Sequence, residues 1–112
     1  MLSKLAVRRL TKLADYMDGL PKEANEHFDM GSAGPLKLSG KGDLLKCGTT
    51  ACAMGWAATI TSFRRAGWDS GWGREERFFD VSSEGARYLF YSVVRTPKQW
   101  AKRCRRFLSK NT

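Results

Sequence analysis

The sequence predicts a mostly α-helical protein, a single compact domain over residues 1–112 with about four main helices. Apolar residues recur at three- and four-residue spacing near both ends of the chain, which is typical of amphipathic helices. A central segment is apolar on every side, as expected of a buried helix. Two Gly-rich loops separate these segments. A chain of 112 residues is long enough to bury a modest core.

The first predicted helix spans residues 2–20. Its apolar residues recur at helical spacing: Leu2, Leu5, Ala6, Leu10, Leu13, Met17 and Leu20. At about 100° per residue, Lys4, Arg8 and Lys12 fall on another side. Pro21 ends this helix or opens a short turn over residues 21–26.

The middle of the chain alternates between loops and a central helix. Residues 31–46 form the first Gly-rich loop, which could contain a small hairpin around residues 39–42. The central helix is predicted over residues 50–66, because no polar face appears in it before Arg64. A helix that is apolar all round is buried all round, so we expect this helix to be the packing centre.

The second Gly-rich loop, residues 67–77, contains Trp68 and Trp72. Two Trp side chains in such a loop can stack bases, or they can cover a small core, and covering the core is the commoner arrangement. In the same stretch, Glu75 and Glu76 lie between two arginines, which we interpret as a solvated charge cluster.

Two further helices are predicted towards the end of the chain. The third spans residues 82–94, with Ser82 or Ser83 as its N-cap. The fourth has the clearest start: Thr96-Pro97-Lys98-Gln99 combines a capping box with proline at the first helical position.

The formal net charge of +9 is concentrated in the two terminal segments. Residues 1–14 contain four basic residues and no acid, and residues 95–112 contain seven basic residues and no acid. The segment 15–94 carries nine bases against eleven acids. Such a basic face indicates a polyanion or an acidic protein surface as partner, the alternative being a surface that only promotes solubility.

The candidate partner-binding residues are the bases of the predicted terminal helices: Arg8, Arg9, Lys12, Lys98, Lys102, Arg103, Arg105 and Arg106. Each could contact a phosphate or a carboxylate, and Arg is better suited than Lys to bidentate contacts. No recognition-helix signature is present, so reading of a specific base sequence is not predicted. No apolar run approaches the roughly 20 residues that cross a membrane, so no membrane partner is expected.

The run from Cys47 to Ala57 is the most distinctive segment of the chain. Cys47, just before a predicted helix, could be a reactive thiol, but His27 is the only histidine that could act as its base. A zinc site is a second interpretation.

The zinc interpretation uses the four residues His27, Cys47, Cys52 and Cys104. Their spacing fits poorly, because paired zinc cysteines are usually separated by two to four residues. Cys104 also lies on an apolar stripe, where a cysteine usually acts as a small hydrophobe. The third interpretation, close packing by small residues, is favoured, and no cofactor is predicted.

Residues 47–57 resemble a motif, Cys-Gly-Thr-x-Ala-Cys-Ala-x-Gly-Trp-Ala, of small, mostly uncharacterised proteins of bacteriophages and bacteria. The resemblance includes residues 13–17 and 28–30 before the motif, and residues 86–90 and 96–97 after it. It implies a phage or prophage accessory protein in the cytoplasm of a bacterial host, and it carries no catalytic residue with it.

The sequence therefore predicts a non-enzymatic binding protein that contacts nucleic acid or a host complex that handles nucleic acid. An inhibitor that binds an acidic surface of a host defence protein is the main alternative. A thiol- or zinc-dependent enzyme is the second alternative.

Overall fold

The computed structural model describes residues 1–28, 30, 52–68, 74–91 and 94–112. A 3₁₀ helix covers Lys22–His27, where a short turn was predicted. The described part contains six α-helices: α1 (Lys4–Asp18), α2 (Ala53–Ala57), α3 (Thr61–Arg65), α4 (Glu75–Phe79), α5 (Ser83–Phe90) and α6 (Pro97–Asn111). The mostly α-helical class is confirmed. The hairpin predicted around residues 39–42 lies outside the described residues.

The two longest helices, α1 and α6, begin at side-chain caps. The Ser3 hydroxyl accepts the Ala6 N–H at 3.1 Å at the start of α1. The Thr96 hydroxyl accepts the Gln99 N–H at 3.1 Å at the start of α6, and the Gln99 side chain accepts the Arg95 N–H at 2.8 Å. The capping box therefore places the start of α6 as predicted, because these bonds satisfy backbone donors that the helix itself leaves open.

Helices α1 and α6 pack side by side and antiparallel. At one end the Leu2 N–H donates to the Asn111 carbonyl at 2.9 Å. At the other end the Lys98 ammonium donates to the Asp18 carbonyl at 2.6 Å. The terminal segments of the chain, which carry its excess of positive charge, are therefore neighbours along their whole length.

The single central helix predicted over residues 50–66 is wrong. The structure has two short helices, α2 and α3, which meet at Ile60 in an extended conformation with ψ 116°. Side chains satisfy carbonyls at the break: the Thr59 hydroxyl donates to the Trp56 carbonyl at 2.6 Å, and Arg64 donates to the Ala58 carbonyl at 2.8 Å. The predicted burial is confirmed, since residues 52–60 are all buried.

The loop predicted over residues 67–77 runs into a helix, α4, that the sequence did not indicate. Asp80, in the left-handed conformation with φ 53°, ends α4. The third predicted helix is confirmed at its start, where the Ser82 hydroxyl accepts the Gly85 N–H at 3.1 Å. It ends at Phe90, short of the predicted residue 94.

Aromatic side chains fill the space between α3, α4, α5 and α6. Trp68 covers this core, as predicted, since it is 3% exposed and its indole N–H donates to the Met54 carbonyl at 2.9 Å. Trp72 lies outside the described residues. The ring contacts join Phe63, Trp68, Phe78, Phe79, Phe90 and Trp100. None of the helices in the described ranges is long and apolar enough to cross a membrane.

Candidate functional site

The candidate site is the open side of the α1–α6 pair. Helical periodicity on two antiparallel neighbours places four exposed bases on this side, away from the core: Arg8, Lys12, Lys102 and Arg106. None of the four makes a hydrogen bond or an ion pair with another described residue. We call these four residues the basic ridge.

Four charged side chains form the seam between α1 and α6. Arg105 contacts two carboxylates, donating to Asp15 at 2.8 Å and to Asp18 at 3.0 Å. Lys98 lies 3.3 Å from the Asp18 carboxylate. The hydrogen bonds from Arg105 and then Lys98 lower the pKa of Asp18, and the carboxylates of Asp15 and Asp18 raise the pKa of Arg105. The structure thus pairs Lys98 and Arg105 within the protein.

Arg9 and Arg103 lie against aromatic rings. The Arg9 guanidinium stacks over the Phe78 ring at 4.0 Å and donates to the Phe78 carbonyl. Burial, and then repulsion from Arg8, lowers the pKa of Arg9. Arg103 stacks over the Tyr88 ring at 3.7 Å and donates to the Tyr88 carbonyl at 2.7 Å. Both side chains therefore tie a terminal helix to its neighbour, which helical spacing alone could not show.

A cleft of about 310 Å³ lies beside the basic ridge, between α1 and α3. Arg8, Arg9 and Lys12 line it from α1, and Ser62, Phe63 and Ala66 line it from the opposite wall. The positive surface of α1 therefore continues from the open side of the pair towards α3. The sequence could not indicate this continuation, because the approach of α3 depends on the break at Ile60.

Two cysteines of the predicted zinc set are described, and both are buried. The Cys104 thiol donates weakly to the Leu10 carbonyl at 3.6 Å, and burial raises its pKa to about 12. Cys52 lies at the N-cap position of α2, fully buried. Cys47 and the side chain of His27 lie outside the described part. Within that part, no group of three or more His, Cys, Asp or Glu side chains could hold a metal ion.

The close-packing interpretation of the Cys47–Ala57 run can be followed over residues 52–57. All six are buried, and the large Trp56 side chain is fully enclosed. A thiol buried in this way is shielded from solvent, and its chemistry is that of a small apolar side chain.

The solvated charge cluster predicted around Glu75 is wrong. Glu75 is 2% exposed and accepts the Tyr91 phenol at 2.8 Å. Burial, and then the hydrogen bond to this carboxylate, raises the pKa of Tyr91 to about 12. Glu76 accepts the Ser83 hydroxyl at 2.9 Å. The short helix α4 therefore turns its two glutamates towards α5, because residues one turn apart separate onto different sides.

Comparison of the chain with protein-family models found no match, and comparisons with curated proteins and with solved structures also found none. The resemblance of residues 47–57 to the phage and bacterial motif stays a prediction.

Proposed function

We propose that this protein is a non-enzymatic nucleic-acid-binding protein of phage type, whose basic ridge contacts phosphates. The observation that carries the proposal is the antiparallel packing of α1 with α6. It brings the basic residues of both chain ends onto one open surface, with Arg8, Lys12, Lys102 and Arg106 exposed there.

The four residues of the basic ridge are close enough to act as one positive patch. Residues four apart on a helix are separated by about 6 Å along its axis, and packed helices lie about 8–10 Å apart. These distances are within about one Debye length at 0.1 M salt, roughly 10 Å, so their fields reinforce one another. A surface of this kind attracts a phosphate backbone independently of its sequence.

The expected binding is strongly dependent on salt. Each neutralised phosphate of duplex DNA contributes about −0.9 to the slope of log affinity against log salt. Four contacts from the basic ridge therefore give a slope of about −3.6. Between about 50 and 200 mM salt, affinity should fall by about 150-fold.

The test measures fluorescence anisotropy of labelled duplex DNA and duplex RNA of arbitrary sequence across this salt range. The double variant K102Q/R106Q should halve the slope to about −1.8. The matched control K22Q/R87Q makes the same change in net charge at two exposed residues of the 3₁₀ helix and α5, and its slope should stay near that of the wild type.

Two outcomes would refute the proposal. One is the absence of binding at low salt with micromolar protein, which would turn attention to an acidic surface of a host protein as the partner. The other is an equal loss of slope in K102Q/R106Q and K22Q/R87Q, because binding would then follow net charge alone.

A further inference from the structure

A second basic cleft lies on the other flank of α1, between the end of α3 and α4. Its volume is about 590 Å³. Three arginines from two parts of the chain line it, Arg9 from α1 and Arg74 and Arg77 at α4. Trp68 and Phe78 form its apolar floor, and none of the described residues that line it is acidic.

The fold creates this concentration of positive charge by sorting the residues of α4. Arg74 and Arg77 are three residues apart and therefore lie on one side of the helix. Glu75 and Glu76 contact Tyr91 and Ser83 on the side towards α5. The acids that are adjacent to the arginines in sequence consequently do not line the cleft.

Arg9 is held in place at the edge of the cleft. Its guanidinium is fixed by the stack on the Phe78 ring at 4.0 Å and by the bond to the Phe78 carbonyl. A guanidinium has five N–H donors, so this bond leaves donors for a ligand. Because its side chain is already ordered, Arg9 would lose little conformational freedom on binding an anion.

We propose that this cleft is a phosphate-binding site, which takes the phosphate group of a phosphate ester or inorganic phosphate. Guanidinium groups bind phosphate oxygens through paired, charge-assisted hydrogen bonds, and three converging guanidinium groups match a group with several anionic oxygens. The volume is that of a small-molecule site. Trp68 and Phe78 are 3% and 8% exposed, so the floor offers little ring surface to a base, and recognition is assigned to the phosphate alone.

This site goes beyond the proposed function, because it uses a different face of α1 and a ligand that need not be a nucleic acid. The experiment measures the phosphate affinity of the full chain by isothermal titration calorimetry, with chloride at equal ionic strength as the reference. Inorganic phosphate should bind the wild type with saturation, whereas chloride should not. R77Q should weaken phosphate binding by about tenfold.

R87Q is the matched control, since Arg87 is exposed on α5 and lies with Glu75 and Glu76 rather than in the cleft. It should leave phosphate affinity unchanged. R77K, which keeps the charge but not the fork, should bind with intermediate affinity. Circular dichroism of each variant establishes that the fold is intact, and R74Q provides a second loss-of-affinity variant.

Two ligands identify the source of the phosphate. Tighter binding of adenosine monophosphate than of inorganic phosphate would support a nucleotide as the ligand, and equal binding would support a site for the phosphate group alone. The proposal is overturned if phosphate gives no saturable signal beyond chloride, or if R77Q and R87Q weaken it equally. Failure here would leave the salt slope of the basic ridge unaffected, so the two proposals fail separately.

Discussion

Neutralising Asp15 and Asp18 should make the protein bind nucleic acid more tightly. In the structure these carboxylates pair with Arg105 and Lys98 at the seam of α1 and α6. The variant D15N/D18N keeps the shape of both side chains but removes their charge. Lys98 and Arg105 then become available to phosphates beside the basic ridge, and two repulsive charges disappear.

The size of the effect follows from the number of contacts. With four phosphate contacts the wild type has an expected salt slope of about −3.6, and six contacts would give about −5.4. Between about 50 and 200 mM salt, the loss of affinity should therefore grow from about 150-fold to about 2,000-fold. At the low-salt end, the variant should bind on the order of tenfold more tightly than the wild type.

Fluorescence anisotropy with a labelled duplex measures both quantities. The ion pairs are largely exposed, and exposed pairs contribute little to stability, so thermal unfolding should show that D15N/D18N is folded. An unchanged or weaker affinity in a folded D15N/D18N variant would refute the assignment of this surface to phosphate binding.

Three further predictions concern the core and the buried titratable groups. W100F should lower the free energy of unfolding by about 2–3 kcal/mol in urea titrations, because it leaves a cavity and deprives the Leu89 carbonyl of the indole N–H at 2.6 Å; a loss below about 0.5 kcal/mol would contradict this packing. The Cys104 thiol, with its pKa raised to about 12, should be alkylated at least about tenfold more slowly in the native than in the denatured protein, as peptide mass spectrometry can measure, and equal rates would contradict its burial. Tyr91 should ionise near pH 12, followed by phenolate absorbance against Y91F; since its folded pKa is raised, its contribution to stability is complete below about pH 10 and is lost as pH rises towards about 12, and ionisation near pH 10 would contradict the bond to Glu75.

Local rules allowed the sequence to predict the helices at the two ends of the chain. The apolar stripe of α1 and the capping box at Thr96 depend on residues three and four positions apart, which interact within one helix. The burial of residues 52–60 was also predictable, because apolar residues occupy nearly every position there. These features need no knowledge of the tertiary fold.

The features that the sequence missed depend on contacts between distant residues. The break at Ile60 is accompanied by hydrogen bonds from Thr59 and Arg64 to carbonyls, and the Thr59 hydroxyl also contacts the Tyr16 phenol on α1. Helix α4 is too short to show a periodic pattern, so the burial of Glu75 was hidden. Tertiary contacts of this kind override local propensity.

The candidate site shows the same division. Eight bases were predicted from charge and helical spacing, and the packing of α1 against α6 decides what each of them does. Lys98 and Arg105 pair with acids, and Arg9 and Arg103 stack on rings. The basic ridge is the remainder, and it became identifiable only when the neighbours of both helices were known.

A nuclear magnetic resonance titration of the ¹⁵N-labelled protein with a short duplex tests most directly whether α1 and α6 form one binding surface. We predict that amide signals of residues 8–12 on α1 and 102–106 on α6 shift together, with one common midpoint, and that the shifts disappear at high salt. Shifts confined to one of these helices, or found only elsewhere in the chain, would contradict a shared surface.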